Sequence, residues 1–81
     1  MSRYTVAYGP EAATRDAMPA DLRRRFEIGM AKLAGDPYAN GSTPIGGERD
    51  RRDATVAACL VVYYVAAECL RITTVRIRPP Y

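Results

Sequence analysis

From Val56 to Ala67 the chain runs twelve residues without a charge, and this stretch limits its fold more than any other. As a helix it is too short to cross a bilayer, which needs about 20 apolar residues. Its Val, Leu, Tyr and Cys content instead suits a β-strand. Residues 55–65 are therefore expected as one central strand, apolar enough to be covered on both faces. A strand of that kind needs partners on either side and a layer to pack against.

The flanking sequence supplies both. Tyr4, Val6 and Tyr8 alternate with Arg3, Thr5 and Ala7, the period of a half-buried strand. Gly9-Pro10 ends it, and Pro10 with Glu11 suits the first turn of a short helix over residues 10–17. Met18-Pro19 breaks that helix and opens a second over residues 19–34. There Leu22, Phe26, Met30 and Leu33 recur at spacings of four, four and three, forming one apolar face. Gly35 followed by Asp36-Pro37 stops the helix. Two helices joined so tightly are expected as a hairpin.

Residues 39–47 are rich in Gly, Ser, Asn and Pro and read as a loop. Residues 48–53 are a mixed charge run, read as a solvated edge or loop, or as a short charged strand that would be the second of the sheet. A tight connection around Glu68 follows the central strand, and residues 70–78 form the last strand, packing through Ile72, Val75 and Ile77. The apolar phase slips at Thr73-Thr74, the mark of a bulge. The expected fold is α+β, a single domain over residues 1–81 in the order β-α-α-β-β-β. A helix hairpin packs on one face of a small, mainly antiparallel sheet of three or four strands.

At 81 residues the core is thin. That leaves open a monomer, a homodimer, or an obligate complex with a partner that covers apolar surface. The net charge of +3 tilts the chain mildly towards polyanions. Lys32 is the one lysine among twelve basic residues. Arginine forks grip phosphates and stack on bases, as RNA binding requires, although a GC-rich coding bias also yields an arginine-rich chain. Cys59 and Cys69 without any histidine do not make a four-ligand zinc site, and no other metal or cofactor is expected. Both are expected as buried thiols in a reducing compartment. Residues 1–5 carry no signal-peptide core, so a cytoplasmic protein without membrane attachment is expected.

Five segments in order resemble one family. They are Tyr4-Thr5-Val6-Ala7-Tyr8 with Glu11-Ala12, Met18-Pro19 leading to Leu22-Arg23, Leu33-Ala34-Gly35-Asp36-Pro37-Tyr38, Ile45-Gly46-Gly47, and Leu60-Val61-Val62-Tyr63-Tyr64-Val65. Together they resemble the RelE/ParE superfamily of toxins from bacterial type II toxin–antitoxin systems. The resemblance implies a toxin neutralised by a cognate antitoxin that wraps around it. RelE-like members cleave messenger RNA in the ribosomal A site without metal, whereas ParE-like members inhibit DNA gyrase.

The chain departs from the ribonuclease pattern at three places. Leu60 stands where an arginine usually opens the central strand. Asp53, Thr55 and Ala57-Ala58 stand where arginines usually alternate, and Ile77 replaces a histidine found in some members. Arg78 and the C-terminal Tyr81 match.

RNA cleavage needs charge neutralised on a pentavalent phosphate and protons moved at two oxygens. On this reading Arg78, Tyr81 and Arg52 are the expected catalytic groups, with Arg49, Arg51 and Arg76 gripping RNA. Arg76 and Arg78, two apart on a strand, share a face. A carboxylate, Glu48 or Asp50, is the candidate base. The apolar helix face of Leu22, Phe26 and Met30 is expected to receive the antitoxin. Three readings follow, namely a message-cleaving toxin on the ribosome, a gyrase inhibitor, and a degenerate toxin that survives as an antitoxin-binding module. The bland alternative is that Arg71, Arg76 and Arg78 merely protect an edge strand.

Overall fold

The computed structural model describes residues 4–9, 12–38 and 41–80. Two helices and five strands follow one another as β1 (Thr5–Tyr8), α1 (Ala12–Asp16), α2 (Ala20–Gly35), β2 (Ser42–Ile45), β3 (Glu48–Val56), β4 (Cys59–Ala66) and β5 (Arg71–Arg78). One sheet holds all five strands in the spatial order β1-β5-β4-β3-β2. β1 runs parallel to β5 and every other pairing is antiparallel. The α+β architecture is as expected, with one strand more than the expected maximum. Among the described residues no helix is long and apolar enough to cross a membrane.

The helix periodicity translates directly into packing. Leu22, Phe26 and Met30 are buried, with Phe26 wholly so, and they join Ala34 and Met18 in the core. The sheet contributes Ala54 and Val56 from β3, Cys59, Val61, Tyr63 and Val65 from β4, and Ile72 and Ile77 from β5. These three residues of α2 are therefore interior, which corrects their expected role as antitoxin contacts. A partner reaching this helix meets Asp21, Arg24, Arg25 and Ile28 instead.

Further expectations are corrected. The run over residues 55–65 is not one strand. Ala57 and Ala58, with φ of 51° and 65°, turn the chain back so that Val56 pairs with Cys59. A two-residue hairpin turn of this hand needs positive φ at both positions, which alanine supplies only at a cost. Burial of the flanking Val56 and Cys59 opposes that cost. β4 is also covered on one face only, its burial alternating strictly along the strand.

The expected loop over residues 39–47 contains β2, which pairs with β3, while Ala39 and Asn40 lie outside the described residues. Pro44 sits in this edge strand, where a missing N–H donor is tolerated. Gly46 and Gly47, both at positive φ, turn the chain into β3. The charge run consequently forms the first six of the nine residues of β3, a strand between β2 and β4, with Glu48, Arg49 and Asp50 exposed and Arg52 buried. Finally, Cys59 is buried as expected but Cys69 is exposed.

The slip at Thr73-Thr74 is realised as a bulge one residue on. Tyr63 pairs with Thr74 and Val62 with Arg76, leaving Val75 without a cross-strand partner. Ile72, Thr74 and Ile77 thereby all point into the core. The bulge also sets the phase of Arg76 and Arg78, as described below.

α2 lies very close to the β3–β4 turn at Gly29. A Cβ added there would stand 2.6 Å from Val56 Cγ1. Alanine favours a helix over glycine by about 1 kcal/mol, but overpacking against a stiff buried valine costs about 1–3 kcal/mol. Gly29→Ala should therefore destabilise the chain in urea titration, and adding Val56→Ala should cost less than the two single changes summed. An unchanged or raised midpoint in Gly29→Ala would contradict the close approach.

Candidate nucleic-acid interface

The sheet face opposite α2 is built by the residues that alternate with the core. β4 presents Leu60, Val62 and Tyr64 there. Antiparallel register sets Thr55, Asp53 and Arg51 of β3 beside them, and Arg78, Arg76 and Thr73 of β5 on the other side. Three rows cross the face as Thr55–Leu60–Arg78, Asp53–Val62–Arg76 and Arg51–Tyr64–Thr73, with Arg71 beyond them opposite Ala66. Tyr63 is fully buried and Tyr64 is 43% exposed, so the two adjacent tyrosines serve opposite faces as alternation requires.

Arg71, Arg76 and Arg78 are exposed and have no carboxylate or hydrogen-bond acceptor among the described residues. Arg71 lies where β5 is flanked by both β1 and β4, whereas Arg76 and Arg78 lie past the last β1 pairing, Tyr8 with Thr74, where β5 pairs with β4 alone. The edge-protection reading therefore fails for Arg71 and stands for Arg76 and Arg78. Arg51 is half-buried, with Nη1 3.9 Å from Glu48 and its guanidinium carbon 5.8 Å from the Tyr64 ring centroid. Its Nε is shielded from solvent and has no acceptor. Ile45, Arg51, Val62, Val75 and Arg76 line a groove of about 340 Å³ on this face.

Arg52 does not join them. Its side chain points to the inner face and is 8% exposed. Nε donates to Ser42 Oγ at 3.1 Å, Nη1 to the Arg49 carbonyl at 2.9 Å and Nη2 to the Ser42 carbonyl at 3.3 Å. Three acceptors and the Tyr38 ring, 5.3 Å away, make this buried cation tolerable. It fastens β2 to β3 and does not reach the open face, which removes it from the expected catalytic set.

Arg49 is drawn the same way, lying 4.2 Å over Tyr38. Tyr38 donates its hydroxyl to Asp50 at 2.6 Å, which commits Asp50 and withdraws it as a candidate base. Partial burial, the bond to Asp50 and that carboxylate's charge push the Tyr38 hydroxyl up to about 12. Burial likewise raises Tyr63, whose hydroxyl donates to the Pro37 carbonyl at 2.6 Å. The Asp36-Pro37-Tyr38 segment is thus tied to the sheet at several points.

Of the expected site residues, Arg51, Arg76 and Arg78 share the open face, while Arg49 and Arg52 belong to the Tyr38 cluster. Tyr81 lies outside the described residues, as do Pro10 and Glu11. Tyr64, Val62, Val75 and Ile45 were not expected as site residues. For Tyr64 and Val62 the signal was the alternation of β4, hidden by the assumption that both faces were covered. Among the described residues no cluster of three or more His, Cys, Asp or Glu could hold a metal ion.

Fold and face define a small α+β protein with an arginine-lined open sheet. No family model matches the chain, and no curated protein is detectably similar in sequence. Solved structures are similar across nearly all of it. A chain of the archaeal RelE–RelB complex from Pyrococcus horikoshii superposes with a TM-score of 0.75 at 19% identity, covering 96% of each chain. The isolated E. coli RelE toxin gives 0.78 at 11% identity, covering 96% of this chain and 85% of that one. A chain of a toxin–antitoxin complex from Mycobacterium tuberculosis gives 0.75 at 16% identity, with 94% and 96% covered. The fold of this chain is that of the RelE toxins.

Proposed function

We propose that the chain is the toxin of a toxin–antitoxin pair and that it inhibits translation by cleaving messenger RNA on the ribosome. The observation that carries this reading is the pair Arg76 and Arg78, exposed on one face of β5 beside β4 in a RelE fold and free of partners among the described residues. Two guanidiniums on one face can converge on a phosphodiester and donate charge-assisted hydrogen bonds to its oxygens. Such cations stabilise the extra negative charge of a pentavalent phosphorus more than that of the ground state.

The chain contains no histidine, so imidazole does not move the protons. Leu60, directly opposite Arg78, adds no charge of its own. The chemistry therefore rests on holding the 2′-oxygen, phosphorus and leaving oxygen in line and on neutralising charge, contributions that positioning on a ribosome enlarges. An antitoxin partner is supported by the neighbours, two of which come from complexes described as RelE–RelB or toxin–antitoxin. Action on the ribosome places the protein in the cytoplasm.

The test is a cell-free translation reaction with purified protein, with message ends mapped by primer extension. Cuts should appear when ribosomes are translating and not on the same message alone. Intact message at protein concentrations well above the ribosomes sinks this reading.

A further inference from the structure

We propose that Tyr64, Arg51 and Arg76 frame a subsite for one unpaired nucleotide, its base against the Tyr64 ring and its phosphate on Arg76. The proposal rests on the RNA-directed reading of the open face and adds which feature of RNA that face selects.

Ile45, Val62 and Val75 give the groove an apolar floor, and Arg51 and Arg76 are its charged walls. Tyr64 stands two residues from Val62 on the same face of β4, with Arg51 and Thr73 as its cross-strand neighbours. Its ring is not needed by the core, which Tyr63 already fills from the other side. An exposed aromatic among interior strands is a surface on which a flat π-system stacks, and every nucleobase has one. The half-buried Arg51 guanidinium, its central carbon 5.8 Å from the Tyr64 ring centroid, borders both the ring and the groove.

Charge decides the occupant. The face carries Arg51, Arg71, Arg76 and Arg78 against the carboxylates Glu48 and Asp53. An apolar peptide segment would cover the floor but desolvate guanidiniums without pairing them. A nucleotide satisfies both parts, with its base on the apolar floor and ring and its phosphate on the arginines. Duplex RNA does not, because its bases are stacked inward and only its sugars, phosphates and shallow groove are presented.

The experiment uses the intact 81-residue chain and a fluorescein-labelled unstructured hexaribonucleotide, with binding followed by anisotropy at low ionic strength. The competitors are the same sequence as a duplex and hexamers abasic at each position in turn. The single strand should bind at least about tenfold tighter than the duplex. Tyr64→Leu should weaken it about tenfold while Tyr64→Phe stays near wild type, the size of one stacked base. One abasic position should cost the wild type a similar factor and cost Tyr64→Leu little. Arg76→Ala should weaken single strand and duplex alike and lower the salt slope by about 0.7. Thermal melts should coincide for all variants, since both side chains are exposed.

Equal binding of duplex and single strand, or Tyr64→Leu binding within twofold of wild type, overturns the subsite and leaves the RNA-directed reading standing. Failure of every RNA probe to bind overturns both.

Discussion

Replacing Arg76 and Arg78 together by alanine should slow message cleavage by at least about a hundredfold while leaving the melting temperature unchanged. Both side chains are exposed and neither has a partner among the described residues, so their removal opens no cavity and strands no buried group. Surface changes of that kind usually stay within about 0.5 kcal/mol of wild-type stability. Their expected value lies in the transition state. A hydrogen bond to a charged group is worth about 1.5–3 kcal/mol, so losing two amounts to roughly two to four orders of magnitude in rate. Arg78→Lys should recover only part of the loss, because an ammonium does not reproduce the planar fork.

Arg52→Ala is the informative contrast. Any activity it loses should follow its unfolding, because Arg52 holds Ser42 and the Arg49 carbonyl inside the sheet. The assay is the rate at which primer-extension stops appear on ribosome-bound message, alongside a thermal melt. A double variant that cuts within tenfold of wild type while fully folded would show that these arginines do not stabilise the reaction.

How far such an assignment was legible in the sequence depended on whether the responsible signal was local. The spacing of Leu22, Phe26 and Met30 encodes a buried helix face because 3.6-residue periodicity and burial are the same fact seen twice. Arg76 and Arg78 share a face by strand alternation alone, and so do Tyr63 and Tyr64 oppose one another. The β3–β4 turn was illegible for the opposite reason. Ala57 and Ala58 occupy positions that usually take Asn and Gly, so an apolar run hid a reversal that tertiary packing imposes. Arg52 was misread because two of its acceptors belong to Ser42, on a strand that Pro44 and the neighbouring glycines disguised as a loop. The open outer face was implied by a helix hairpin on one side of a single sheet, but the residues that line it were not. A run rich in Val and Tyr suggests cover on both sides, and only the sheet order, with helices on one face, leaves Tyr64 and Val62 uncovered.

The same distinction between pattern and packing governs the largest expected stability effect. Phe26→Ala should cost about 3–5 kcal/mol and lower the melting temperature by about 15–30 °C. Phe26 has no exposed surface and packs in the cluster that joins α2 to Val61, Tyr63 and Ile72. Truncating it leaves a cavity that the neighbouring strands, held by their ladders, close only in part. A chain of this size has a total stability of about 4–12 kcal/mol, so the variant loses a large share of it. Ile28, two residues on but 53% exposed, is the matched control, and Ile28→Ala should melt within about 3 °C of wild type.

The pair also separates two explanations for a loss of antitoxin capture. Loss in Phe26→Ala accompanied by unfolding reflects a missing core residue, whereas loss in a folded Ile28→Ala reflects contact with the exposed side of α2. Circular dichroism melts of both variants decide the matter. A Phe26→Ala chain that melts with the wild type would mean that this phenylalanine is not the centre of the core.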